Sequence, residues 1–576
     1  MPHLREIIDT ATSGDHESIV IKGSAQWGKS EVILNLIGYH MHHDPAPILY
    51  CNATLDLVKA FSKDRLMPMI RDTPVLADLV GTPRSKDSDN TVLHKRFRGG
   101  RITLVGANAS AGFRMRAVRI VIFDDIDGFP PSTAEGDQIS LGIKRSTTYL
   151  DRLIIYSGTP TIESTSRIDE AFSRSDQRHY NVPCPLCGTF QKLEWEYVQW
   201  PAGRPELANY ICSKCSRSWK ETQHMESLSL GQWRPENPSS SIPGFFANDI
   251  LNPFVKLSSM AADFLVADYH SNHGNNEKLR TWINLSLGKS WKIKGEKLDD
   301  APFLTRRENY TTSALPWRIL YLTAGVDIQA DRVEAEIFGW RSERQDDPPE
   351  CWSIEAPVLH GDVTQGDVLK ELDGLLLREY LTEDGRRLRV SAACIDAGYK
   401  TQEIMNFCSR RVGRHVHAVK GADGARPIWP PRMSKSKKYP GMFLYIVGSD
   451  SAKDNIYSRL QVQEAGPGYC HFNMSCDESY FRQVVSEEKR SKIVRGKEIK
   501  YWYLREGRRN EGLDRHVYGL AALYSHRVPW EMLARSAPSE PPPQPEGGDG
   551  GVPPPPPPRP EPPRQQGRKV RFRFGR

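Results

Sequence analysis

The feature that most constrains the fold of this chain is a glycine-rich stretch close to its N-terminus. Residues 23–30 read Gly-Ser-Ala-Gln-Trp-Gly-Lys-Ser and directly follow the apolar residues 19–22. A strand that runs into Gly-x-x-x-x-Gly-Lys-Ser and then into a helix forms a P-loop, in which backbone N–H groups surround nucleotide phosphates. The sequence therefore predicts a nucleotide-binding domain.

A second segment supplies the remaining chemistry of such a site. Residues 119–127 read Arg-Ile-Val-Ile-Phe-Asp-Asp-Ile-Asp, a buried-strand pattern that ends in paired carboxylates. We expect Lys29 to reach the β- and γ-phosphates of ATP, Asp124 to hold Mg²⁺, and Asp125 to act as the catalytic carboxylate that polarises water. The predicted residues for binding ATP and Mg²⁺ are Gly23, Ser24, Gly28, Lys29, Ser30 and Asp124.

A short polar triplet, Ser157-Gly158-Thr159, follows an apolar strand pattern at residues 153–156. In motor ATPases a triplet at this place senses the γ-phosphate and links hydrolysis to the grip on DNA. The alternative interpretation is a turn that merely ends the strand. Because two ATPase motifs precede the triplet, we predict a coupling role for Ser157, Gly158 and Thr159.

Phosphoryl transfer of this kind commonly uses an arginine finger. Arg114 and Arg116, just before the second ATPase strand, are the candidates, acting in the same subunit or towards a neighbouring one. The alternative for both residues is a solvated basic loop.

The first 160 residues alternate strand and helix patterns, which predicts a parallel sheet covered by helices. Residues 244–300 are predicted to be mostly helical, and a second strand-rich region runs from about residue 320 to residue 526. The predicted elements of the first region are strands at residues 19–22, 48–51, 102–105, 120–123 and 153–156 and helices at residues 30–41 and 55–70.

Four cysteines show the spacing of a zinc ribbon. Cys184 and Cys187 form one C-x-x-C knuckle, and Cys212 and Cys215 form a second. Four thiolates can close a tetrahedron around Zn²⁺, and a closed site of this kind is structural. His224 is a possible alternative ligand.

Three acids in the second half of the chain match the pattern of a ribonuclease H-like metal site. Asp327 and Asp396 end apolar strand patterns at residues 321–327 and 390–396, and Asp514 lies at the start of a helical pattern. Such carboxylates bind two Mg²⁺ or Mn²⁺ ions about 4 Å apart, one to activate water and one to stabilise the leaving oxygen. The sequence therefore predicts a catalytic nuclease site.

Other charged residues near these acids leave alternatives open. Asp331, Glu336 and Glu511 are the nearest substitutes as metal ligands. Lys453 either contacts a phosphate or is an exposed helix residue behind an Asp450 cap.

Composition places limits on the class of protein. The chain has 576 residues, of which 38% are hydrophobic and 26% charged, with a net charge of +7. This mild basic excess does not by itself predict nucleic-acid binding. No apolar run approaches the ~18 residues of a membrane span, and the N-terminus lacks signal-peptide regions. These features predict a soluble, intracellular protein.

In order and spacing, the motifs resemble the large terminase subunit of tailed phages, specifically the lambda-type (GpA) family. The resemblance covers residues 1 to about 530 and extends to the sequences Ser-Gly-Thr-Pro-Thr, Gly-Val-Asp-Ile-Gln and Ile-Asp-Ala-Gly-Tyr. It implies an ATP-driven motor that moves viral double-stranded DNA into a procapsid, joined to an endonuclease that cuts the concatemer. The implied partners are DNA, a small terminase subunit, the portal protein and further copies of the chain, in the host cytoplasm.

Together, the motifs and the resemblance predict an α/β chain of three regions. Residues 1–310 form a RecA/ASCE-like P-loop ATPase domain with a zinc-ribbon insertion at residues 178–222. Residues 318–530 form a ribonuclease H-like α/β endonuclease domain. Residues 536–576 form a disordered proline-rich tail with a basic tip, which either docks on the portal or only solubilises the chain.

The P-loop begins about 20 residues into the chain, so the family's usual upstream segment is expected to be missing or very short. Two other classes of function remain alternatives. One is a repair or restriction helicase–nuclease with a zinc ribbon, which should carry a second RecA-like domain. The other is a non-catalytic DNA-binding assembly protein with relic motifs.

Overall fold

The computed structural model describes residues 1–80, 90–114, 117–130, 136–163, 165–292, 298–424, 426–432, 434–435, 443–494 and 497–537. The chain divides into two compact units. Within the described ranges, the first comprises residues 1–267 and 279–292, and the second comprises residues 268–278 and 298–537.

The first unit is built on a large sheet with the strand order β13-β8-β14-β1-β7-β6-β2-β5-β4-β3, and β9 pairs with β8. β10, β11 and β12 form a separate small sheet. The strands are β1 (Ser18–Gly23), β2 (Ile48–Asn52), β3 (Asn90–Thr91), β4 (His94–Phe97), β5 (Gly100–Gly106), β6 (Ile120–Phe123), β7 (Leu153–Gly158), β8 (Arg178–Pro183), β9 (Phe190–Lys192), β10 (Val198–Gln199), β11 (Asn209–Ile211), β12 (Ser218–Trp219), β13 (Gln232–Pro235) and β14 (Gly244–Ala247).

The central strands of this sheet, from β8 through β14, β1, β7, β6 and β2 to β5, are parallel. Their apolar residues are buried, as expected for strands covered on both faces. All five strands predicted for this region are confirmed. The prediction of mostly helix from residue 244 onwards is wrong for β14, whose four residues Gly-Phe-Phe-Ala are too few to show a period.

In the described ranges, ten α-helices accompany this sheet, and α9 and α10 contribute residues to both units. A π-helical turn at Ser62–Leu66 joins α3 to α4, so the predicted helix at residues 55–70 is one nearly continuous helical stretch. The helices are α1 (His3–Thr12), α2 (Lys29–His42), α3 (Leu55–Phe61), α4 (Met67–Asp72), α5 (Pro74–Val80), α6 (Gln138–Ile143), α7 (Arg167–Ser173), α8 (Glu221–Ser229), α9 (Leu257–Asn272) and α10 (Glu277–Leu285).

The second unit is built on a mixed sheet with the order β15-β26-β18-β17-β16-β22-β23-β25-β24, and β19 pairs with β17. β20 and β21 form one hairpin, and β27 and β28 form another. The strands are β15 (Arg307–Glu308), β16 (Tyr321–Ile328), β17 (Arg332–Arg341), β18 (Glu350–Glu355), β19 (Val358–His360), β20 (Tyr380–Leu381), β21 (Arg387–Leu388), β22 (Val390–Asp396), β23 (Val416–Ala422), β24 (Ser434–Lys435), β25 (Phe443–Gly448), β26 (Cys470–Asn473), β27 (Glu487–Val494) and β28 (Lys497–Leu504).

The helices of this unit include α15, which packs on β16, β17 and β22. The approach of α15 to β16 is close because both partners present glycine. A Cβ on Gly325 would lie 1.9 Å from the carbonyl oxygen of Arg515 and 2.5 Å from the amide nitrogen of Gly519. The helices are α11 (Asp367–Leu377), α12 (Thr401–Ser409), α13 (Ser449–Leu460), α14 (Glu478–Val484), α15 (Glu511–Tyr524) and α16 (Trp530–Ser536).

An antiparallel β16–β17 hairpin continued by the parallel strands β22 and β23, with a helix across it, is the ribonuclease H-like arrangement that the sequence predicts. None of the helices in the described ranges has the length and apolarity that a membrane crossing requires. Of the predicted tail, only residues 536 and 537 are described, and Ser536 is the last residue of α16. The rest of the tail lies outside the described residues.

Candidate active sites

The P-loop lies between the carboxyl end of β1 and the start of α2. Gly28 caps α2 with a left-handed φ of 111°, a conformation that favours glycine. Lys29 Nζ donates to the carbonyl oxygens of Gly23 (3.4 Å) and Ser24 and to Thr159 Oγ1 (3.0 Å). Ser30 is the second residue of α2. The structure thus brings the predicted phosphate-binding residues together at one helix N-terminus.

Burial lowers the pKa of Lys29 to about 8, although the carboxylates of Asp124, Asp125 and Asp249 partly offset this shift. A cation held among carboxylates and loop carbonyls suits the binding of an anionic ligand. The phosphates of a nucleotide would add the negative charge that keeps Lys29 protonated.

The paired acids follow β6, two strands away from β1 in the sheet. Asp124 is buried, and its Oδ2 accepts hydrogen bonds from Tyr50 OH (2.8 Å) and Asn52 Nδ2 (3.5 Å). Burial raises the pKa of Asp124. Asp125 is exposed and adopts a left-handed φ of 56°. The sequence did not single out Tyr50 or Asn52, because they lie on β2 and reach Asp124 only in the folded sheet.

The triplet predicted for coupling lies at the end of β7, next to β1. Ser157 is fully buried, and Thr159 contacts Lys29 directly through its hydroxyl. Of the two arginine-finger candidates, Arg114 is exposed, and Arg116 lies outside the described residues.

Asp249 is a carboxylate of this site that the sequence analysis missed. It follows β14, the other neighbour of β1, and its Oδ1 accepts a hydrogen bond of 2.7 Å from Ser24 Oγ. Burial raises the pKa of Asp249 to about 6. Asp249 could have been predicted if β14 had been recognised as a strand, because ligands of parallel sheets bind outside the carboxyl ends of the strands.

The three predicted nuclease acids share one region of the second unit. Val326 pairs with Ile395 across the parallel strands β16 and β22, so Asp327 and Asp396 lie at the same sheet edge. Asp514 is in the first turn of α15, which crosses both strands. Tyr518, one turn further along α15, donates a hydrogen bond of 3.1 Å to Asp396 Oδ1.

The charges of these carboxylates influence one another. Burial raises the pKa of Asp514 to about 7, Lys453 opposes the shift, and the charges of Asp327 and Asp396 add to it. Burial likewise raises the pKa of Asp327 to about 6, with a contribution from Asp396. Among the described residues, the three carboxylates do not form a cluster as tight as the cysteine quartet described below. Repulsion of this kind favours a bound cation.

The alternative metal ligands are engaged in ion pairs. Glu336 is fully buried against Arg515 (3.2 Å) and also accepts from Tyr480 OH (2.6 Å). Glu511 pairs with Arg509 (3.0 Å), and Asp331 pairs with its neighbour Arg332 (2.9 Å). Glu334 and Glu336 on β17 are both buried, and α15 supplies Arg515 as the ion-pair partner of both carboxylates.

Lys453 lies on α13 and is buried, so the interpretation of an exposed helix residue is wrong. Its Nζ contacts both carboxylate oxygens of Glu487 at 2.7 Å. Asp450 is not the cap of this helix either, because Gly448 occupies the cap position and Asp450 accepts from the amide of Gly424.

The four cysteines of the predicted zinc ribbon converge. Their sulfur atoms all lie within 4.8 Å of one another, with Cys184–Cys215 and Cys187–Cys212 distances of 3.9 Å. Burial opposes the thiolate of Cys212, but amide N–H groups of Cys215 and Lys214 outweigh it and lower the pKa to about 6. Four sulfurs with N–H donors fit a tetrahedral metal ion.

The alternative ligand His224 does not join this set. It is buried on α8 near the rings of Tyr210 and Trp219, and burial lowers its pKa to about 4. An imidazole in this place is a neutral core residue.

A P-loop at the carboxyl edge of one parallel sheet and acids at the edge of a ribonuclease H-like sheet define the class of P-loop ATPase–nucleases. The chain belongs to the phage terminase large subunit gpA family. The family's ATPase-domain model matches residues 1–233, and its endonuclease-domain model matches residues 242–532.

The chain is similar to individual proteins over most of their length. The chain is 27% identical to the large terminase subunit of Escherichia phage lambda over 92% of this chain and 86% of the relative. It is 29% identical to that of Enterobacteria phage P21, over 90% of this chain and 85% of the relative. Among solved structures, the large terminase of the thermophilic bacteriophage D6E matches with a TM-score of 0.39 and 10% identity, covering 90% of this chain and 98% of that chain.

Membership in this family confirms the function that the motifs predict. The chain is an ATPase and an endonuclease, and it acts in the packaging and cleavage of phage DNA. Its two domains use a nucleotide and a divalent metal ion, and its partners are DNA and the packaging machinery.

Proposed function

We propose that this terminase subunit couples ATP hydrolysis in its first unit to the movement of double-stranded viral DNA into procapsids, and cuts concatemeric DNA with its second unit. The observation that supports this assignment most strongly is the separation of the two acidic sites. Lys29 and Asp124 belong to the first unit, and Asp327, Asp396 and Asp514 belong to the second.

At the first site, Lys29 would bind the β- and γ-phosphates of ATP together with Gly23, Ser24 and Gly28 of the P-loop. Ser30 and Asp124 would hold Mg²⁺, which neutralises phosphate charge when bound. Asp125 is exposed beside Asp124 and would orient and polarise the attacking water. The contact between Thr159 and Lys29 supports a role for Ser157, Gly158 and Thr159 in coupling.

At the second site, Asp327, Asp396 and Asp514 would hold Mg²⁺ or Mn²⁺ ions, which activate water and stabilise the leaving oxygen when bound. Tyr518 would orient Asp396 through its hydrogen bond. The raised pKa values of Asp327 and Asp514 support this role, because a cation relieves the repulsion among these carboxylates.

The cysteine quartet would hold a structural Zn²⁺ ion within residues 178–222 of the ATPase domain, which we assign to residues 1–310. We assign the endonuclease domain to residues 318–530 and a tail to residues 536–576. The partners we propose are the small terminase subunit, the portal protein and further copies of the chain, in the host cytoplasm.

The first experiment measures DNA-stimulated ATP hydrolysis and metal-dependent plasmid cleavage in the same preparations. Lys29→Ala is expected to abolish ATP hydrolysis and leave cleavage intact. Asp327→Ala, Asp396→Ala and Asp514→Ala are each expected to abolish cleavage and leave ATP hydrolysis intact, because the sites use separate residues.

Matched controls are Lys59→Ala on α3 and Asp367→Ala on α11, whose side chains are 46% and 83% exposed. Both controls should retain both activities. Loss of both activities in a folded Lys29→Ala protein would refute separable sites. Full cleavage by one of the aspartate variants would remove that aspartate from the metal site.

A further inference from the structure

Asn284 is a buried residue near the end of α10 that the assigned chemistry does not use. Its Nδ2 donates to the carbonyl oxygens of Pro160 (2.7 Å), Thr161 (2.5 Å) and Lys289 (3.1 Å). A carboxamide nitrogen carries two hydrogens, so one of them is shared between two of these three carbonyl oxygens. Asn284 therefore ties α10 to the segment that follows the coupling triplet.

The residues at the end of α10 and just after it also contact the P-loop. The amide of Ala25 donates to the carbonyl oxygen of Leu285 at 2.8 Å. Gly288 has a φ of +61°, and a Cβ there would lie only 2.6 Å from the amide nitrogen of Ser24. The amide of Asp249, whose carboxylate binds Ser24, donates to the carbonyl oxygen of Ser286 at 2.9 Å. Residues 284–288 thus contact the first half of the P-loop.

The segment after the triplet is itself firmly held. Thr161 donates to Asp127 Oδ2 through both its amide and its hydroxyl, at 2.9 Å each. Its carbonyl oxygen also accepts from the amide of Trp291 at 2.8 Å. Lys29 of the P-loop is hydrogen-bonded to Thr159 of the triplet. The residues after the triplet are hydrogen-bonded to Asn284, and the residues next to Asn284 contact the P-loop again.

We propose that Asn284 is a positioning residue that couples the Ser157–Thr161 segment to the P-loop, so that DNA engagement and ATP turnover depend on each other. This inference rests on the proposed coupling role of the triplet. A movement of Thr159 relative to Lys29 has to move the carbonyls of Pro160 and Thr161. Because Asn284 is bonded to both carbonyls, the end of α10 and the Ala25 amide must follow.

The test compares Asn284→Ala and Asn284→Asp in steady-state ATP hydrolysis with and without DNA. Alanine removes the donor, and aspartate replaces the carboxamide with an isosteric group that repels the surrounding carbonyl oxygens when it is ionised. We expect basal kcat to stay within about threefold of wild type while the ratio of DNA-stimulated to basal kcat falls by about tenfold, equivalent to ~1.4 kcal/mol. The loss should be at least as large for aspartate.

The matched control is Asn35→Ala. Asn35 is exposed on α2 and its Nδ2 also donates to a backbone carbonyl, that of Glu31, at 2.8 Å. Its stimulation ratio should be unchanged. If Asn284→Ala does not fold, as judged by thermal melting, Asn284→Ser keeps one hydroxyl donor and should show a smaller loss of the same ratio.

Equal losses of basal and stimulated rates in a folded Asn284 variant, or an unchanged ratio, would overturn the inference. Thr159→Ala, measured in parallel, separates this failure from a failure of the proposed function. If Thr159→Ala lowers the ratio and Asn284 variants do not, only the role of Asn284 is wrong. If Thr159→Ala also leaves the ratio unchanged, the coupling role of the triplet is wrong.

Discussion

At the scale of single residues, Asp514 shows how a proposed metal ligand can weaken the fold that carries it. Its pKa is about 7 in the folded chain, whereas an ordinary aspartate in the unfolded chain has a pKa of about 4. Between these two pH values, the folded chain keeps a proton that the unfolded chain has lost. In the absence of metal, the free energy of unfolding therefore falls as pH rises from about 4 through 7.

We predict that Asp514→Asn stabilises the metal-free protein at pH 8 by roughly 1–3 kcal/mol, because it removes a repelled charge. Urea unfolding at pH 5 and pH 8 measures this effect, which should be small at pH 5. The wild type should also need less Mg²⁺ for half-maximal cleavage at pH 8 than at pH 6, since the metal competes with protons. Equal stability of both proteins at pH 8 would contradict the assigned repulsion.

At the scale of elements, β26 is joined to its neighbours by a buried histidine. His471 Nε2 contacts Glu350 on β18 (2.8 Å), and Nδ1 contacts Glu308 on β15 (2.5 Å). Burial disfavours the charged ring, but the hydrogen bonds with Glu308 and Glu350 outweigh it and raise the pKa of His471. The charged imidazole therefore holds three strands together.

We predict that His471→Gln lowers the free energy of unfolding by about 2 kcal/mol at pH 6, because it removes a charged hydrogen-bonded group. A raised histidine pKa stabilises fully below its unfolded value and loses this effect as pH rises through its folded value. The difference between the proteins should therefore shrink at pH 9. His360→Gln, on an exposed residue of β19, is the control. A difference that does not depend on pH would show that the ring is neutral.

A second feature at the scale of elements is the pair of cysteine knuckles, which brings the turn between β8 and β9 next to the turn between β11 and β12. We predict about one bound zinc per chain, measured by atomic absorption, and its loss in Cys212→Ser. Melting temperature should fall in this variant and in the chelated wild type alike. Cys476→Ser, outside the quartet, should retain the metal. Metal binding that survives Cys212→Ser would exclude the quartet as the site.

At the scale of the whole molecule, motifs that are contiguous in sequence were predictable, and contacts between distant residues were not. Sequence alone could predict the P-loop, the acids at the ends of β6, β16 and β22, and the cysteine knuckles. In each of these motifs the strand and the ligand residues are adjacent in sequence. Asp249 and Ser24 are 225 residues apart, and Asn284 and Pro160 are 124 apart. Such pairs depend on the order of strands in the sheet, which local periodicity does not encode.

A whole-molecule prediction concerns residues 538–576, where six consecutive prolines precede a basic end. Truncation after residue 537 should preserve ATP hydrolysis and plasmid cleavage, because the two sites lie elsewhere. If the basic end docks on the portal, truncation should weaken binding to purified procapsids, and salt should weaken wild-type binding. Replacing the lysine and arginines of residues 568–576 by glutamine is the matched variant. Unchanged procapsid binding would assign the tail a solubilising role.

The close packing of Gly325 on α15 has a consequence for engineering. The spacing between Asp327 and Asp514 depends on a residue that has no functional group, because any larger side chain there would push the helix off the strand. Adding one methyl group, as in Gly325→Ala, would therefore abolish cleavage although every acid remained in the sequence. Such a variant would still move DNA whose ends have already been cut.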